Sequence, residues 1–166
     1  MIDIYDWPCP KRLASIERWM PLVTMRRPDM DDLAACARHA FSAPMALISV
    51  LKPEGLSVFA PSGLPKRLVE PRHAFCRRVV ERRAVHVVMN AAADDEYAEN
   101  PFVRNTPYKR FYAGAPILLP DGHVLGAFCV VDLEPRFKFD SDDEAALLRF
   151  ARLTERFAFE DAGGAA

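Results

Sequence analysis

The stretch FYAGAPILLPDGHVLGAFCVVD, residues 111–132, holds two apolar runs that meet at Pro120-Asp121-Gly122. An Asp-Gly pair between apolar segments is a strong hairpin signal, because the turn needs a residue at ease with positive φ. The runs carry so little polarity that both strands are expected inside a sheet rather than at a wet edge. Ala113-Gly114-Ala115 interrupts the first run with three of the smallest side chains, and Gly126-Ala127 does the same in the second. Missing bulk in a strand lets another backbone come close or leaves room for a ligand. Taken singly, each glycine reads as close packing. Two thinned strands beside a long irregular segment point instead to a cavity.

Outward from this hairpin, the remaining elements alternate in a readable order. KRLASIERWM, residues 11–20, places Leu13, Ile16 and Met20 on one helical stripe, with Pro21 as the expected stop. Asp29 is positioned to cap a second helix in which Met30, Leu33, Ala34, Ala37 and Phe41 share a face. PMALISVLKPEG reads as a central strand, and LSVFA after Gly55 as its hairpin partner. PSGLPKRLVEP is a loop by its Pro and Gly content. RHAFCRRVVERR is a short amphipathic helix, and AVHVVM a further strand. About twenty residues between Met89 and Arg110 lack periodicity, although Tyr97, Phe102, Val103 and Tyr108 need burial. Loops of that length in compact domains tend to be lids or binding loops. A long helix from about Ser141 to Glu160, with Ser141 as cap, closes the chain. Hairpin-joined strands covered by helices make the fold class α+β, with a central antiparallel sheet.

Composition narrows the function classes. The chain has 166 residues and a net charge of −1, with half its residues apolar, which suits one domain with a real core. Arginine outnumbers lysine 17 to 5, but the pairs at Arg26-Arg27, Arg77-Arg78 and Arg82-Arg83 have no interleaved aromatics. Nucleic acid and membrane partners are therefore not expected. The N-terminus has no signal-peptide pattern, and no apolar stretch is long enough to span a bilayer. Cys9, Cys36, Cys76 and Cys129 are too dispersed for a CxxC motif, so free thiols in a cytoplasmic setting are expected.

Five ordered pieces resemble the GAF domain family. They are RLASIERW in the first helix, DDLAACARHAFSAPMALISVL over the second helix and first strand, the turn and helix start GLPKRLVEPRHAFC, the loop DDEYAENPFV, and the closing hairpin RFYAGAPILLPDGHVLGAFCVVDLEPR with Asp132 and Arg136. The likeness runs from about Lys11 to Phe157. It implies five or six antiparallel strands, with terminal helices on one face and a lidded pocket for a small molecule on the other. The domain layout expected is an N-terminal extension at 1–10, one domain at 11–160 and a flexible tail at 161–166. Nine residues follow Phe157, so a signal is expected to pass in trans to a separate protein.

The candidate ligand-binding residues are Phe75 and Cys76 on the short helix, Asp95 and Phe102 in the loop, and Arg110, Tyr112, Gly114 and Cys129 on the closing strands. Asp95 reads equally well as a cap of a helical turn. His73 and Cys76 share a helix spacing, but two ligands do not make a metal site, and no cofactor can be named. The resemblance extends to free methionine sulfoxide reductases, whose clustered cysteines Cys76 and Cys129 do not reproduce. Bilin attachment lacks its Cys-His pair here, and no other catalytic constellation is present. The function expected is therefore a non-catalytic sensor of an unidentified small molecule. A ligand-free dimerisation module is the alternative, and a thiol-based reductase a remoter one. The last helix presents an apolar arc (Ala146, Leu147, Phe150, Ala151, Leu153, Thr154, Phe157, Ala158) wider than one sheet contact needs. The N-terminal helix or the same helix of a second subunit could cover the surplus, and a homodimer through the terminal helices is expected.

Overall fold

A computed structural model describes residues 8–61 and 69–160. The tail at 161–166, most of the N-terminal extension and most of the loop that follows Pro61 lie outside the described residues. In chain order the elements begin with helices α1 (Pro10–Met25) and α2 (Arg27–Ala40) and strands β1 (Met45–Lys52) and β2 (Gly55–Ala60). Helix α3 (Arg77–Arg82), strand β3 (His86–Val88) and the single turn α4 (Pro101–Arg104) come next. Strands β4 (Phe111–Leu118) and β5 (Val124–Asp132) and helix α5 (Ser141–Glu155) complete the domain, α5 running into a π-helical turn at Arg156–Glu160. The five strands form one sheet in the order β2-β1-β5-β4-β3, every neighbouring pair antiparallel. The α+β sheet expected from the hairpins is thus observed, with β1 and β5 at its centre.

Alternation along the strands divides the interior into two layers. Ile48, Val50, Phe111, Ala113, Ala115, Ile117, Phe128 and Val130 face α1, α2 and α5. Tyr112, Ala127, Cys129 and Val131 face the other way, against Phe75, Cys76, Val79 and Val80 of the α3 segment and against Tyr97 and Val103. The arc on α5 is largely used within the domain. Leu147, Ala151, Thr154 and Ala158 are buried, Phe150 stacks on Phe128 at 5.3 Å and meets Phe41 at 6.0 Å, and Phe159 meets Trp19 of α1 edge-on at 5.8 Å.

Helix ends differ from expectation in four places. Helix α2 begins at Arg27, so Asp29 lies within its first turn instead of capping it. Helix α3 begins at Arg77, after Phe75 and Cys76, rather than just after Pro71. Helix α1 does not stop at Pro21 but continues to Met25. Proline frees the carbonyl of Glu17, and both residues are on the exposed side, where water can satisfy it. Asp140, not Ser141, caps α5: its carboxylate accepts from the amides of Asp142 and Asp143, and Asp143 returns a bond to the Asp140 amide at 2.9 Å. This reciprocal box satisfies three amides at once. Asp140→Ala is expected to cost about 1 kcal/mol in chemical denaturation, while Ser141→Ala should change little.

One buried charge stitches the helical layer to the sheet. Arg12, with no exposed surface, donates from Nε to Val124 O at 2.7 Å and from Nη2 to Leu51 O and Leu125 O at 2.6 and 3.1 Å. The β1–β5 ladder ends at Val50 and Gly126, and Leu125 is an extra residue in the pairing of β5 with β4. The guanidinium therefore takes up carbonyls where the ladder has run out.

Candidate functional site

The face of the sheet opposite the terminal helices is covered by a short amphipathic helix and an irregular strap. Val79 and Val80 anchor α3 because they fall on its inner side, and Arg77, Arg78 and Arg82 remain at the surface side. The chain approaches α3 through a 3₁₀ turn at Pro71–His73, which delivers Phe75 and Cys76 into the interior. The strap from Met89 to Arg110 folds as a series of capped turns. Asn90 accepts from the Ala92 amide, and Asn100 accepts from the Phe102 amide at 2.9 Å. These local side-chain bonds explain why the segment has no apolar period.

The strap is latched to what lies beneath it. Tyr97 stacks on Phe75 with ring centres 4.4 Å apart, and Phe75 in turn packs on Tyr112 at 5.3 Å, so three rings run from strap to sheet. The Tyr97 hydroxyl and His86 Nε2 share a 2.8 Å hydrogen bond. Asn100 Nδ2 donates to His73 O at 3.0 Å, and Arg78 Nε donates to Glu96 at 2.5 Å. Asp132 and Arg136, the pair that follows the hairpin, bind each other at 3.0 Å while Arg136 covers the Phe111 ring. Their role here is to hold the end of the sheet.

Beneath the strap lies a partly enclosed cavity of ≈ 60 Å³. A single buried water needs about 10–15 Å³ on the same measure, so the space suits a few heavy atoms. Drug-sized sites are several-fold larger. Its polar lining is Ser49, His73, Cys76, Lys109, Tyr112 and Cys129, with Phe75 and Phe102 among the apolar walls. A shallower surface pocket of ≈ 330 Å³ shares Val69, His73 and Phe102 with it, so those three residues form the partition between the two spaces.

Five of the eight expected ligand-binding residues meet here: Phe75, Cys76, Phe102, Tyr112 and Cys129. Three do not. Asp95 is exposed at the surface of the strap, while neighbouring Asp94 accepts from the Glu96 amide at 2.9 Å. Arg110 spends one guanidinium nitrogen on the carbonyls of Val103 and Lys109, both at 3.0 Å. Gly114 is absent from the wall because Tyr112 fills its space: a Cβ there would collide with the phenol. Ala113 and Ala115 face the helices, and Gly126 lies against the Ser49 carbonyl. Close packing, not a ligand, therefore accounts for the small residues. Tyr108, expected to be buried, is 52% exposed and sits at φ 61°.

Sequence reading missed Ser49 and Lys109. Ser49 carried a signal, being the one polar residue inside the apolar run ALISVL. Lys109 carried none, since it stands between Tyr108 and Arg110 in a stretch without period. Burial dominates the electrostatics of the whole group. It pushes the thiols of Cys76 and Cys129 up to about 12 and about 11, raises the Tyr112 phenol well above its usual range and pulls the Lys109 amine down. Each group is thereby held toward its neutral form. The Tyr112 hydroxyl lies near the Cys129 thiol but has no hydrogen bond of normal geometry.

A five-stranded antiparallel sheet with helices on one face and a strapped cavity on the other defines an α+β signalling-domain fold. The chain belongs to the GAF domain family, whose model matches residues 30–156. It is 38% identical over 123 residues to a cyclic di-GMP phosphodiesterase of Pseudomonas aeruginosa. That match covers 74% of this chain but only 21% of the phosphodiesterase, so the chain spans about a fifth of this relative's length. Among solved structures, the GAF domain of an Acinetobacter phosphoenolpyruvate-protein phosphotransferase superposes with a TM-score of 0.62 at 14% identity, covering 95% of this chain and 99% of that one. A type II free methionine-R-sulfoxide reductase of Thermoplasma acidophilum gives a TM-score of 0.64 at 15% identity, covering 84% and 96%. At such identities the two structures establish a shared fold and no more.

Proposed function

We propose that this GAF domain is a non-catalytic sensor that binds a small molecule in the cavity between sheet and strap. The observation that carries this reading is the cavity itself, with a buried, unbonded hydroxyl and a mostly buried amine on its wall. Orphaned polar groups are costly in an interior, and a ligand that satisfies them would favour the closed strap by its differential affinity. The effect can reach the helices through one strand. Cys129 faces the cavity, whereas its neighbour Phe128 faces α5 and stacks on Phe150. Two copies paired through the ends of α1 and α5 would form the output, passing the signal to a separate protein. A monomer mass in light scattering at micromolar concentration removes that pairing.

The phosphodiesterase relative supports a place in cyclic di-GMP signalling, with the domain acting as a regulator. Among the described residues no three His, Cys, Asp or Glu side chains converge, whereas metal-assisted phosphoryl hydrolysis needs such ligands. A thiol reductase requires a thiolate, and both buried thiols are held protonated at neutral pH. Iodoacetamide is accordingly expected to label exposed Cys36 in the native protein and to leave Cys76 and Cys129 intact.

The sensor reading is tested by a thermal-shift titration with fractionated metabolite extracts. A stabilising fraction should raise the melting temperature progressively with concentration. No shift with any fraction, together with an unliganded mass in native mass spectrometry, would leave only the ligand-free interaction module.

A further inference from the structure

The charge pattern of the cavity narrows the ligand class. Lys109 Nζ lies 5.1 Å from the ring centre of Phe102 and 5.7 Å from that of Phe75. Ring faces hold a cation weakly, and among the described residues Nζ has neither an ion pair nor a hydrogen bond. Among the described residues no aspartate or glutamate lines the space. Besides Lys109 and the His73 imidazole, which can donate or accept, the polar groups on the wall are donors: the hydroxyls of Tyr112 and Ser49 and the thiols of Cys76 and Cys129. Ser49 Oγ already donates to Ala127 O at 3.3 Å and Cys129 Sγ to Leu47 O at 3.6 Å, whereas the Tyr112 hydroxyl has only the weakly accepting Cys129 thiol beside it. Tyr112 is 3% exposed, so water outside the domain does not serve it.

We infer that the ligand is a small organic carboxylate, with the Lys109 ammonium as its counter-ion and the Tyr112 hydroxyl as its second donor. The inference rests on the sensor reading above and specifies its ligand. A carboxylate brings one negative charge and acceptor lone pairs on both oxygens, which matches one ammonium and one phenol. The volume of ≈ 60 Å³ admits a carboxylate of few carbons. A phosphate monoester brings up to two charges and a larger shell, for which the described residues of the wall supply one ammonium, that of Lys109, beside the His73 ring. Burying an unpaired ammonium is unfavourable, so an anion gains where a neutral isostere of equal size does not.

The test is a thermal-shift titration of the 166-residue protein with sodium acetate, sodium propionate, sodium chloride and acetamide at constant ionic strength. The same series is run on Lys109→Met and Tyr112→Phe. Methionine keeps the unbranched stem among the two phenylalanines and removes only the charge, and phenylalanine keeps the ring stack. Acetate or propionate should stabilise the wild type with a saturable dependence, and chloride and acetamide should not. Lys109→Met should weaken the carboxylate by at least about tenfold, and Tyr112→Phe by a few-fold. Equal stabilisation by acetamide or chloride, or an undiminished carboxylate response in Lys109→Met, overturns the inference and leaves a sensor of another ligand. A flat response to every compound, in a protein to which metabolite fractions are also inert, overturns both readings.

Discussion

Replacing Arg12 with methionine is expected to remove about 3–5 kcal/mol from the stability of the domain, measured by urea denaturation. The side chain is wholly buried and donates to the carbonyls of Leu51, Val124 and Leu125. All three lie just past the point where β1 and β5 stop pairing. Methionine fills most of the same volume, so the loss isolates the donors and the charge from the packing of the stem. Total stabilities of domains this size run about 5–15 kcal/mol, and a variant this damaged would be partly unfolded at ordinary temperatures. Arg12→Lys should recover only part of the loss. An ammonium has no planar fork to reach three carbonyls spread over two strands. Wild-type stability in Arg12→Met would mean that the bulge is held by β5 itself.

Gly126→Ala is the second large effect, and Gly114→Ala is its instructive contrast. A Cβ at position 126 would stand 2.7 Å from the Ser49 carbonyl carbon and 3.0 Å from Val50 Cα, and closer still to the Ser49 oxygen. All of these are backbone atoms of β1, the central partner strand, so the two strands must separate. Overpacking in a core costs about 1–3 kcal/mol when side chains can yield, and here none can, so the upper end or beyond is expected. At position 114 the obstacle is the phenol end of Tyr112, which can swing. Gly114→Ala should therefore cost less in stability and should alter ligand response more, because the displaced ring borders the cavity. Equal destabilisation by both alanines would contradict this division of roles.

Much of the fold was legible because its signals are local. Asp121-Gly122 marks a turn in which Gly122 takes φ +90°, and the continuous apolar run at 45–51 belongs to a strand covered on both faces. Met30, Leu33, Ala34 and Ala37 repeat at helical spacing and are all buried. Failures occurred where tertiary context overrules a local rule. Pro21 breaks helices in general, yet here its freed carbonyl faces solvent. Arg12 carries no sequence signal of burial, yet it points to carbonyls more than a hundred residues away. At the site, Phe75, Cys76, Phe102, Tyr112 and Cys129 were recoverable from their apolar settings just ahead of α3, on the strap and on the sheet. Lys109 was not, because nothing next to it in sequence tells that two phenylalanines close over it. The small residues were noticed for a sound reason and interpreted wrongly. Gly114 is small to admit Tyr112, and Gly126 to admit a neighbouring strand.

The claim on which the functional account stands is that the space under the strap receives a molecule that is not protein. Crystals of the protein purified from its own cells, without added carboxylate, would test it most directly. The account predicts non-protein density between Lys109 Nζ and the Tyr112 hydroxyl, beneath a closed strap. Side chains collapsed into that space, with Lys109 turned outward to solvent, would contradict it.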